Sequence, residues 1–329
     1  MTNAKKVSLA MIARETGLSI SSVSRALKNS HEISEAKKIQ VRRAAAALDY
    51  RKHLRRPTPN FLTISIYTGE IDRRAQGSIY AEIYRGIKEE AQRHGVRLIE
   101  LKRETLFAQL TNSEQQFEGL ILMGFDREDY LEALAATGKP IVLVNSQDPY
   151  GRIDSVLPDN LGCGAMVARH LQERQLSATL HLVHRARLTI EKRLEGYFAR
   201  RKAISVPATP ANDVIVDPGS FEERDLDTIR KEMARALNAL DLRQFDSIVC
   251  WGILMKRALL DLAIAELAAL PVVSVDSSEE APHPGQELAT VALPGRAIGS
   301  QAFQQLALRQ FYRDAPGVRL LLSGRLQNA

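Results

Sequence analysis

A short segment near the start of the chain concentrates hydroxyl side chains around one arginine. Residues 16–27 read TGLSISSVSRAL and hold five serine or threonine side chains beside Arg25. Serine is a mediocre helix former because its hydroxyl competes for backbone hydrogen bonds. Hydroxyls and helix N-termini bind phosphate oxygens, and an arginine fork donates to the guanine edge. The segment therefore indicates contact with DNA, and the alternative is a solvated helix with a serine-rich polar face.

The surrounding pattern supplies the elements that would position these side chains. Ser8, Ser19 and Ser34 are placed as N-caps of three short helices, and Gly17 is placed to end the first. The turn between the first two helices is short and contains glycine, which is typical of a helix-turn-helix. The apolar positions expected to form its core are Leu9, Ile12, Ala13, Ile20, Val23, Ala26, Leu27, Ile39, Val41, Ala45 and Leu48.

In a helix-turn-helix the N-terminal end of the second helix enters the major groove. Ser19, Ser22 and Ser24 suit contacts to phosphates. Ile20 and Ser21 are placed to meet base edges, where Ile20 offers only an apolar contact. Arg25 suits a guanine or a phosphate.

The charge of the chain is concentrated at one end. Residues 1–60 hold 13 Lys and Arg against 4 Asp and Glu, whereas the remainder holds 32 against 35. The net charge is therefore +9 for the first segment and −3 for the rest. This asymmetry indicates an anionic polymer or surface as the partner of the N-terminal segment.

Beyond a basic, proline-broken linker, RKHLRRPTPN at 51–60, the pattern changes to alternating strands and helices. Ten apolar runs separated by helical segments favour parallel sheets covered by helices, in two such units. The expected strands lie at 61–67, 96–101, 119–125, 140–145, 155–159, 178–183, 214–217, 246–252, 271–276 and 288–293.

These motifs resemble the LacI/GalR family of bacterial transcriptional regulators. The stretch from Val7 to Tyr50 is similar to the family's DNA-binding headpiece, and FEGLILMG, EKRLEGYFA, PVVSVD and LATVALPGRAIG follow in the family's order. The resemblance implies a helix-turn-helix headpiece and two doubly wound lobes like those of periplasmic sugar-binding proteins, crossed three times by the chain. The implied domains are 1–50, a linker at 51–60 and an effector-binding and dimerisation domain at 61–329, with lobe 1 at 61–158 and 294–319 and lobe 2 at 159–293 and 320–329.

The chain departs from the family at three places. Met11 stands where an aspartate is usual, and Trp251-Gly252 replaces an Asn/Ser-Asp pair. The linker lacks the family's hinge motif, whose leucine wedges into the minor groove. Leu54 is the only apolar candidate wedge, so the linker is either a degenerate hinge or a basic tether that grips phosphates, and we slightly favour the tether. The expected DNA-binding residues are Ser8, Ser19, Ile20, Ser21, Ser22, Ser24, Arg25, Asn29, His31, Tyr50, Leu54, Arg55 and Arg56.

Ligands of doubly wound sheets bind beyond the carboxyl ends of the strands. Arg193 and Asp276 correspond to the family's effector-gripping arginine and aspartate, for which the alternative is a structural ion pair. Trp251, the only tryptophan, is expected either to stack on a sugar or to lie in the core. His181 and His184 are expected to be strand residues without chemistry. The expected effector-binding residues are Tyr67, Met123, Asn145, Arg193, Trp251 and Asp276.

No glycine-rich phosphate loop, nucleophile elbow or metal-spaced His/Cys cluster occurs, so neither an enzyme, a cofactor nor a metal is expected. Two distant cysteines favour a reducing cytoplasm, and no membrane span or signal peptide is expected. The sequence thus predicts a cytoplasmic, homodimeric repressor that binds a palindromic operator and a small carbohydrate. The short spacing before FEGLILMG, similar to that of a β-galactosidase repressor of the family, favours a galactoside. The alternatives are a stand-alone sugar-binding or sugar-processing α/β protein with a basic extension, and a basic-tailed RNA- or membrane-surface protein.

Overall fold

The computed structural model divides the chain into two compact units, Met1–Thr58 and Pro59–Ala329. No described helix combines the length and the hydropathy that a membrane-spanning segment needs. The structure describes residues 8–27, 32–47, 61–68, 79–102, 104–106, 117–125, 127–184, 188–204, 213–217, 226–262, 264, 266–277 and 287–328.

The N-terminal unit contains three helices, α1 (Leu9–Thr16), α2 (Ile20–Leu27) and α3 (Glu35–Ala47). Helix α1 ends at Gly17, whose φ of 67° lies in the left-handed region that glycine adopts without strain. The buried core of the unit consists of Ile12, Ala13, Val23, Ala26 and Val41. All three helices contribute to it.

Two expected core positions of this unit, Ile20 and Ile39, are wrong, because both side chains are exposed. The Ile39 side chain is 46% exposed, whereas Val41 is fully buried. Lys38, next to Ile39, is buried instead. The apolar pattern alone did not select this position, because a lysine side chain combines a long aliphatic stem with a charged end.

The second unit begins with lobe 1. The elements that the chain forms before it first changes sheets are β1 (Thr63–Tyr67), α4 (Ile79–Arg93), β2 (Arg97–Leu101), β3 (Leu120–Met123), α5 (Glu128–Ala136), β4 (Ile141–Val144) and β5 (Asp154–Pro158).

Lobe 2 follows without a break in the same unit. Its elements are α6 (Asn160–Glu173), β6 (Thr179–Leu182), α7 (Leu188–Ala203), β7 (Asp213–Val216), α8 (Leu226–Asn238), β8 (Ser247–Cys250), α9 (Ile253–Leu262), β9 (Val272–Ser277) and β10 (Glu287–Leu293).

The chain then returns to lobe 1 and ends in lobe 2, through α10 (Gly295–Arg309), β11 (Arg319–Leu322) and β12 (Arg325–Asn328). The sheet of lobe 1 has the order β11-β5-β4-β3-β1-β2, and the sheet of lobe 2 has the order β12-β10-β9-β8-β6-β7. All strand pairs are parallel except β10–β12. The expected fold class, a helical headpiece with two doubly wound lobes, is confirmed.

The last change of sheet lies between Leu322 and Arg325, three residues beyond the expected boundary at 319/320. Leu320–Leu322 stay in lobe 1 because they pair in register with Val156, Leu157 and Pro158 of β5. Strands β11 and β12, each at an edge of its sheet, were not expected as strands.

Glycines allow the helices of each lobe to approach closely. A Cβ on Gly164 of α6 would clash with the carbonyl oxygen of Arg193 in α7, and one on Gly196 would clash with the carbonyl oxygen of Leu161. The α6–α7 contact fixes the backbone that carries Arg193. Central strands such as β3 and β4 are buried at every position, because helices cover both faces of the sheets.

Candidate DNA-binding surface and effector cleft

Three serine hydroxyls form a connected group at the start of α2. The Ser19 hydroxyl accepts a hydrogen bond from the Ser22 backbone N–H at 3.1 Å, which is the bond of an N-cap. The Ser19 hydroxyl also lies 2.9 Å from Ser22 Oγ and 3.0 Å from Ser21 Oγ. The cap fixes the beginning of α2 and gathers hydroxyls at the positive end of the helix, where phosphates bind.

The outer face of α2 displays the residues expected to read bases. Ile20 is 53% exposed, and Ser21 and Arg25 are exposed with it. Val23 and Ala26 turn into the core of the unit, so the orientation of the helix is set by its apolar positions. Ser22 and Ser24 are half-buried at the sides of the exposed face.

Arg25, the only charged residue of α2, is paired with a residue that the sequence analysis did not select. Its Nη1 donates to Glu32 Oε2 at 2.9 Å, and both side chains are about half exposed. An exposed pair of this kind contributes at most about 1 kcal/mol to stability. The only signal in the sequence was an acidic residue within a strongly basic segment.

Ser8 is exposed at the N-cap position of α1, and its side chain makes no capping hydrogen bond. Its hydroxyl is therefore open to an external acceptor. The other expected DNA-binding residues, Asn29, His31, Tyr50, Leu54, Arg55 and Arg56, lie outside the described residues.

In lobe 2, Arg193 is a buried cation held by neutral acceptors. Its Nε donates to Asn160 Oδ1 at 2.9 Å and its Nη1 donates to the Trp251 carbonyl oxygen at 3.1 Å. Burial lowers the pKa of the guanidinium, while the negative charge of Asp276 opposes that shift. Nη2 makes no hydrogen bond to any described residue, so Arg193 retains donors for a ligand.

The Trp251 side chain corrects the expectation of a stacking platform. It is fully buried, and its Nε1 donates to His181 Nδ1 at 3.0 Å. The indole stacks on the His181 ring and meets the Tyr197 ring edge-on. No face of the indole is open to a sugar in this conformation, because the ring belongs to the core of the lobe.

The hydrogen bonds beyond His181 make this tryptophan part of a buried polar network. His181 Nδ1 accepts from Trp251, so its Nε2 carries the proton and donates to Asp213 Oδ1 at 3.0 Å. Asp213 also accepts from the Tyr197 hydroxyl at 2.8 Å and from Arg201 Nη2 at 3.0 Å. A histidine expected to be an inert strand residue thus connects Trp251 to a buried ion pair.

The pKa values follow from these contacts. Burial lowers the pKa of His181, and the nearby Asp213 only partly opposes the shift. Burial by itself would raise the pKa of Asp213, but hydrogen bonds from His181 and Tyr197 and the charge of Arg201 bring it below its ordinary value. At neutral pH the network therefore contains a neutral histidine and an ionised aspartate.

The remaining expected effector residues occupy different environments. Asp276 is buried at the end of β9, where its charge acts on Arg193. Asn145 follows β4 with a φ of 52°, and its Nδ2 donates to the Tyr80 hydroxyl at 2.8 Å. Tyr67 packs edge-on against Phe125. Met123 is fully buried in the apolar core of lobe 1 and presents no surface to a ligand, because β3 is central in its sheet.

A cavity of about 270 Å³ lies between the lobes, beside Arg193 but lined by none of the six expected residues. Asn160, which accepts from Arg193, connects the cavity to that arginine. Among the described residues no group of His, Cys, Asp and Glu side chains is arranged to hold a metal ion. The cavity is lined by Glu128, Leu131, Ser146, Gln147, Pro149 and Leu157 of lobe 1 and by Asn160, Leu188, Thr189 and Lys192 of lobe 2.

A helix-turn-helix unit followed by two doubly wound lobes defines the class of DNA-binding regulators that carry a periplasmic-binding-protein-like domain. Residues 8–53 match the family model for bacterial regulatory proteins of the lacI family. Residues 67–233, half of the chain, match the model for periplasmic binding proteins and the sugar-binding domain of the LacI family. The chain belongs to the LacI family of DNA-binding transcriptional regulators.

Known proteins are similar over nearly the whole length. The transcriptional repressor PurR of Photobacterium profundum is 24% identical over 91% of this chain and 90% of its own, and the regulator DegA of Bacillus subtilis is 20% identical over 90% and 89%. The fold is also that of the regulator CelR in complex with cellobiose, with a TM-score of 0.64, 20% identity and 98% of both chains covered. The lac repressor bound to ONPG gives a TM-score of 0.63 at 19% identity, over 98% of this chain and 99% of that one.

Proposed function

We propose that this regulator is a repressor of sugar-utilisation genes that is relieved by a small carbohydrate bound between the lobes. The exposed face of α2 carries the proposal, because its hydroxyls and Arg25 are presented outward by a capped helix in the unit that holds all the excess positive charge. Ile20 and Ser21 read base edges, and Ser8, Ser19, Ser22 and Ser24 contact phosphates. Arg25 reads a guanine.

The partner of this surface is a palindromic operator bound by a homodimer. Helix-turn-helix proteins read two half-sites related by the two-fold axis of the protein dimer. We place the protein in the cytoplasm, where DNA is accessible. Two buried free thiols, Cys163 and Cys250, are compatible with a reducing compartment.

The proposed effector site is built around Arg193. Its unoccupied Nη2, the carboxylate of Asp276 and the amides of Asn145 and Asn160 offer the donors and acceptors that bind sugar hydroxyls. Tyr67 contributes from the end of β1. Trp251 acts through its carbonyl oxygen, which holds Arg193, rather than by stacking.

Selection from duplexes with a randomised centre, followed by affinity measurement on the selected sequence, tests the DNA-binding function. We expect one palindromic sequence to be enriched and its affinity to fall with salt with a slope of about −0.9 per phosphate contacted. Deletion of residues 1–60 should abolish binding. A full chain without sequence preference and with a flat salt response would contradict the proposal and favour the stand-alone sugar-binding alternative.

Isothermal titration with cellobiose, ribose and ONPG tests the effector class. Solved structures show cellobiose bound to CelR, ribose bound to a LacI-family regulator of Enterococcus faecium, and ONPG bound to the lac repressor. ONPG represents the galactoside that the sequence favours. Arg193→Lys keeps the charge but loses the fork, so it should weaken binding of whichever sugar binds. A sugar that binds wild type and Arg193→Lys equally would place the effector site elsewhere.

A further inference from the structure

The ion pair between Arg25 and Glu32 is an unusual feature of a surface that must approach DNA. The N-terminal segment up to residue 60 has only four acidic residues, and one of them contacts the only charged side chain of α2. A carboxylate near phosphates is repelled by them. Its presence beside Arg25 therefore changes what that arginine is able to bind.

The geometry leaves one edge of the guanidinium available. Glu32 Oε2 occupies Nη1 at 2.9 Å, while Nε and Nη2 make no hydrogen bond to any described residue. Two parallel N–H groups on one edge match the O6 and N7 acceptors of guanine. A carboxylate on the other edge holds the fork in place and reduces the side chain's net attraction for phosphates.

Arg25 also lies on the face of α2 that projects outward. It is four residues from Ser21, one helical turn, and both side chains are exposed. Both members of the ion pair remain about half exposed, so a base edge is able to reach the guanidinium without displacing Glu32. The Glu32 carboxylate thus contacts Arg25 from the side of the exposed face of α2 and leaves that face open.

We propose that Glu32 is a specificity-determining residue, which positions Arg25 to read a guanine and restrains its capture by phosphates. The inference rests on the proposed function of α2 as the reading helix. It predicts that loss of the carboxylate leaves DNA binding intact while lowering its selectivity. A purely structural ion pair would not have this effect.

The test compares the wild-type chain with three single variants, and with the double variant Arg25→Lys with Glu32→Gln, on duplexes carrying a randomised centre. Glu32→Gln removes the carboxylate, and Arg25→Lys keeps the charge but removes the fork. Glu15→Gln is the matched control, because Glu15 is exposed on α1 and its replacement changes the charge of the same unit equally. For each protein the preference at every position, the affinity for a scrambled duplex and the salt slope are measured.

We expect the wild type to prefer guanine at one half-site position, and Arg25→Lys to lower that preference roughly 5- to 150-fold, as the loss of a bidentate contact does. Glu32→Gln should lower the same preference about three- to tenfold and steepen the salt slope by up to about 0.9, as one more phosphate is engaged. The double variant should be no less selective than Arg25→Lys alone. Glu15→Gln should leave the guanine preference unchanged.

Several results would overturn the proposal. Glu32→Gln with an unchanged guanine preference would show that the ion pair does not act in recognition. If Glu15→Gln lowered the guanine preference as much as Glu32→Gln, the effect would be one of net charge and not of the ion pair. If Glu32→Gln changed only the preference for a cytosine, Glu32 would contact that base directly and would not act through Arg25. A wild type that selects no sequence would overturn the proposed function as well. A wild type and a Glu32→Gln variant that prefer guanine equally would overturn only the role of Glu32.

Discussion

At the scale of single residues, the side chains that matter in both units act through neighbours rather than alone. Ser19 organises Ser21 and Ser22, and the Trp251 carbonyl oxygen holds Arg193. Each of these contacts fixes a donor or acceptor before any ligand arrives. Preorganisation of this kind lowers the entropy that binding must lose.

The cap at the start of α2 gives a first prediction. Ser19→Ala removes the acceptor of the Ser22 N–H and should destabilise α2 by about 1 kcal/mol. Ser8→Ala is the matched control, because Ser8 occupies the same position of α1 without a capping hydrogen bond. Hydrogen exchange of the α2 amides checks this. Equal protection in Ser19→Ala and wild type would show that the cap contributes nothing to the helix.

The buried histidine gives a second prediction, on the dependence of stability on pH. The pKa of His181 is lowered from 6.5 by burial, so the unfolded chain takes up a proton as the pH falls below about 6.5 while the folded chain does not. The contribution of the neutral His181 to the free energy of unfolding is therefore fully present above that pH and declines below it. His170, whose pKa is also lowered by burial, acts in the same direction.

Urea unfolding followed by the emission of Trp251, the only tryptophan, measures this dependence. Between about pH 7.5 and pH 5.5 the wild type should lose up to about 1.4 kcal/mol more than His181→Gln, which cannot take up that proton. His181→Gln itself should be less stable at pH 7.5, because Asp213 and Trp251 lose a partner. If the free energy of unfolding fell equally with pH in the two proteins, protonation of His181 would not be a cause of the loss.

At the scale of elements, the position of Arg193 depends on how α6 and α7 pack. The backbones meet at Gly164 and Gly196, where no side chain separates them. Arg193 lies at this contact, and its carbonyl oxygen faces Gly164. The helix pair therefore fixes the backbone position from which the Arg193 side chain extends to Asn160 and the Trp251 carbonyl oxygen.

Gly164→Ala tests this dependence. The added methyl group would meet the Arg193 carbonyl oxygen and lie 2.7 Å from the Tyr197 backbone nitrogen, and backbone atoms yield little. We expect a loss of about 1–3 kcal/mol in the free energy of unfolding. Gly252→Ala is the control, since nothing lies within 4 Å of its Cβ position. Equal urea midpoints for the two variants would show that the close approach of α6 and α7 at Gly164 does not contribute to stability.

At the scale of the whole molecule, one chain combines a basic unit with a larger unit of opposite net charge, joined by a basic linker. Relief of repression by a bound carbohydrate, as proposed above, requires that ligand and DNA influence each other. Coupling of this kind is reciprocal, so the change that a ligand makes in DNA affinity equals the change that DNA makes in ligand affinity. Under the proposed function, the segment that connects the two units along the chain is the linker at 51–60.

Substitutions in the linker distinguish a minor-groove wedge at Leu54 from a basic tether that grips phosphates. Because RKHLRRPTPN lacks the hinge motif, Leu54→Ala should leave operator affinity nearly unchanged. The double substitution Arg55→Ala with Arg56→Ala should reduce the salt slope by up to about 1.8, the loss of two phosphate contacts. Binding at several salt concentrations measures both. An operator that is bent by the wild type and straightened by Leu54→Ala would establish the wedge instead.

The sequence by itself determined the features that depend on neighbours along the chain. The helix-turn-helix follows from caps, a glycine stop and apolar residues at helical spacing, and the doubly wound fold class follows from apolar strands alternating with helices. Both are confirmed. The basic segment and the likeness to the LacI family were equally visible, since they require only composition and order.

Only the tertiary structure decided which side chains meet. Trp251 turns into the core because His181, 70 residues earlier, accepts its N–H, and Asp213 in turn fixes His181. Glu32 reaches Arg25 from the connection between α2 and α3, and Leu320–Leu322 remain in lobe 1 because β5 pairs with them. The local pattern of apolar and polar residues does not encode such partners, because a hydrogen bond between distant residues depends on distances that exist only after the sheets and helices have packed.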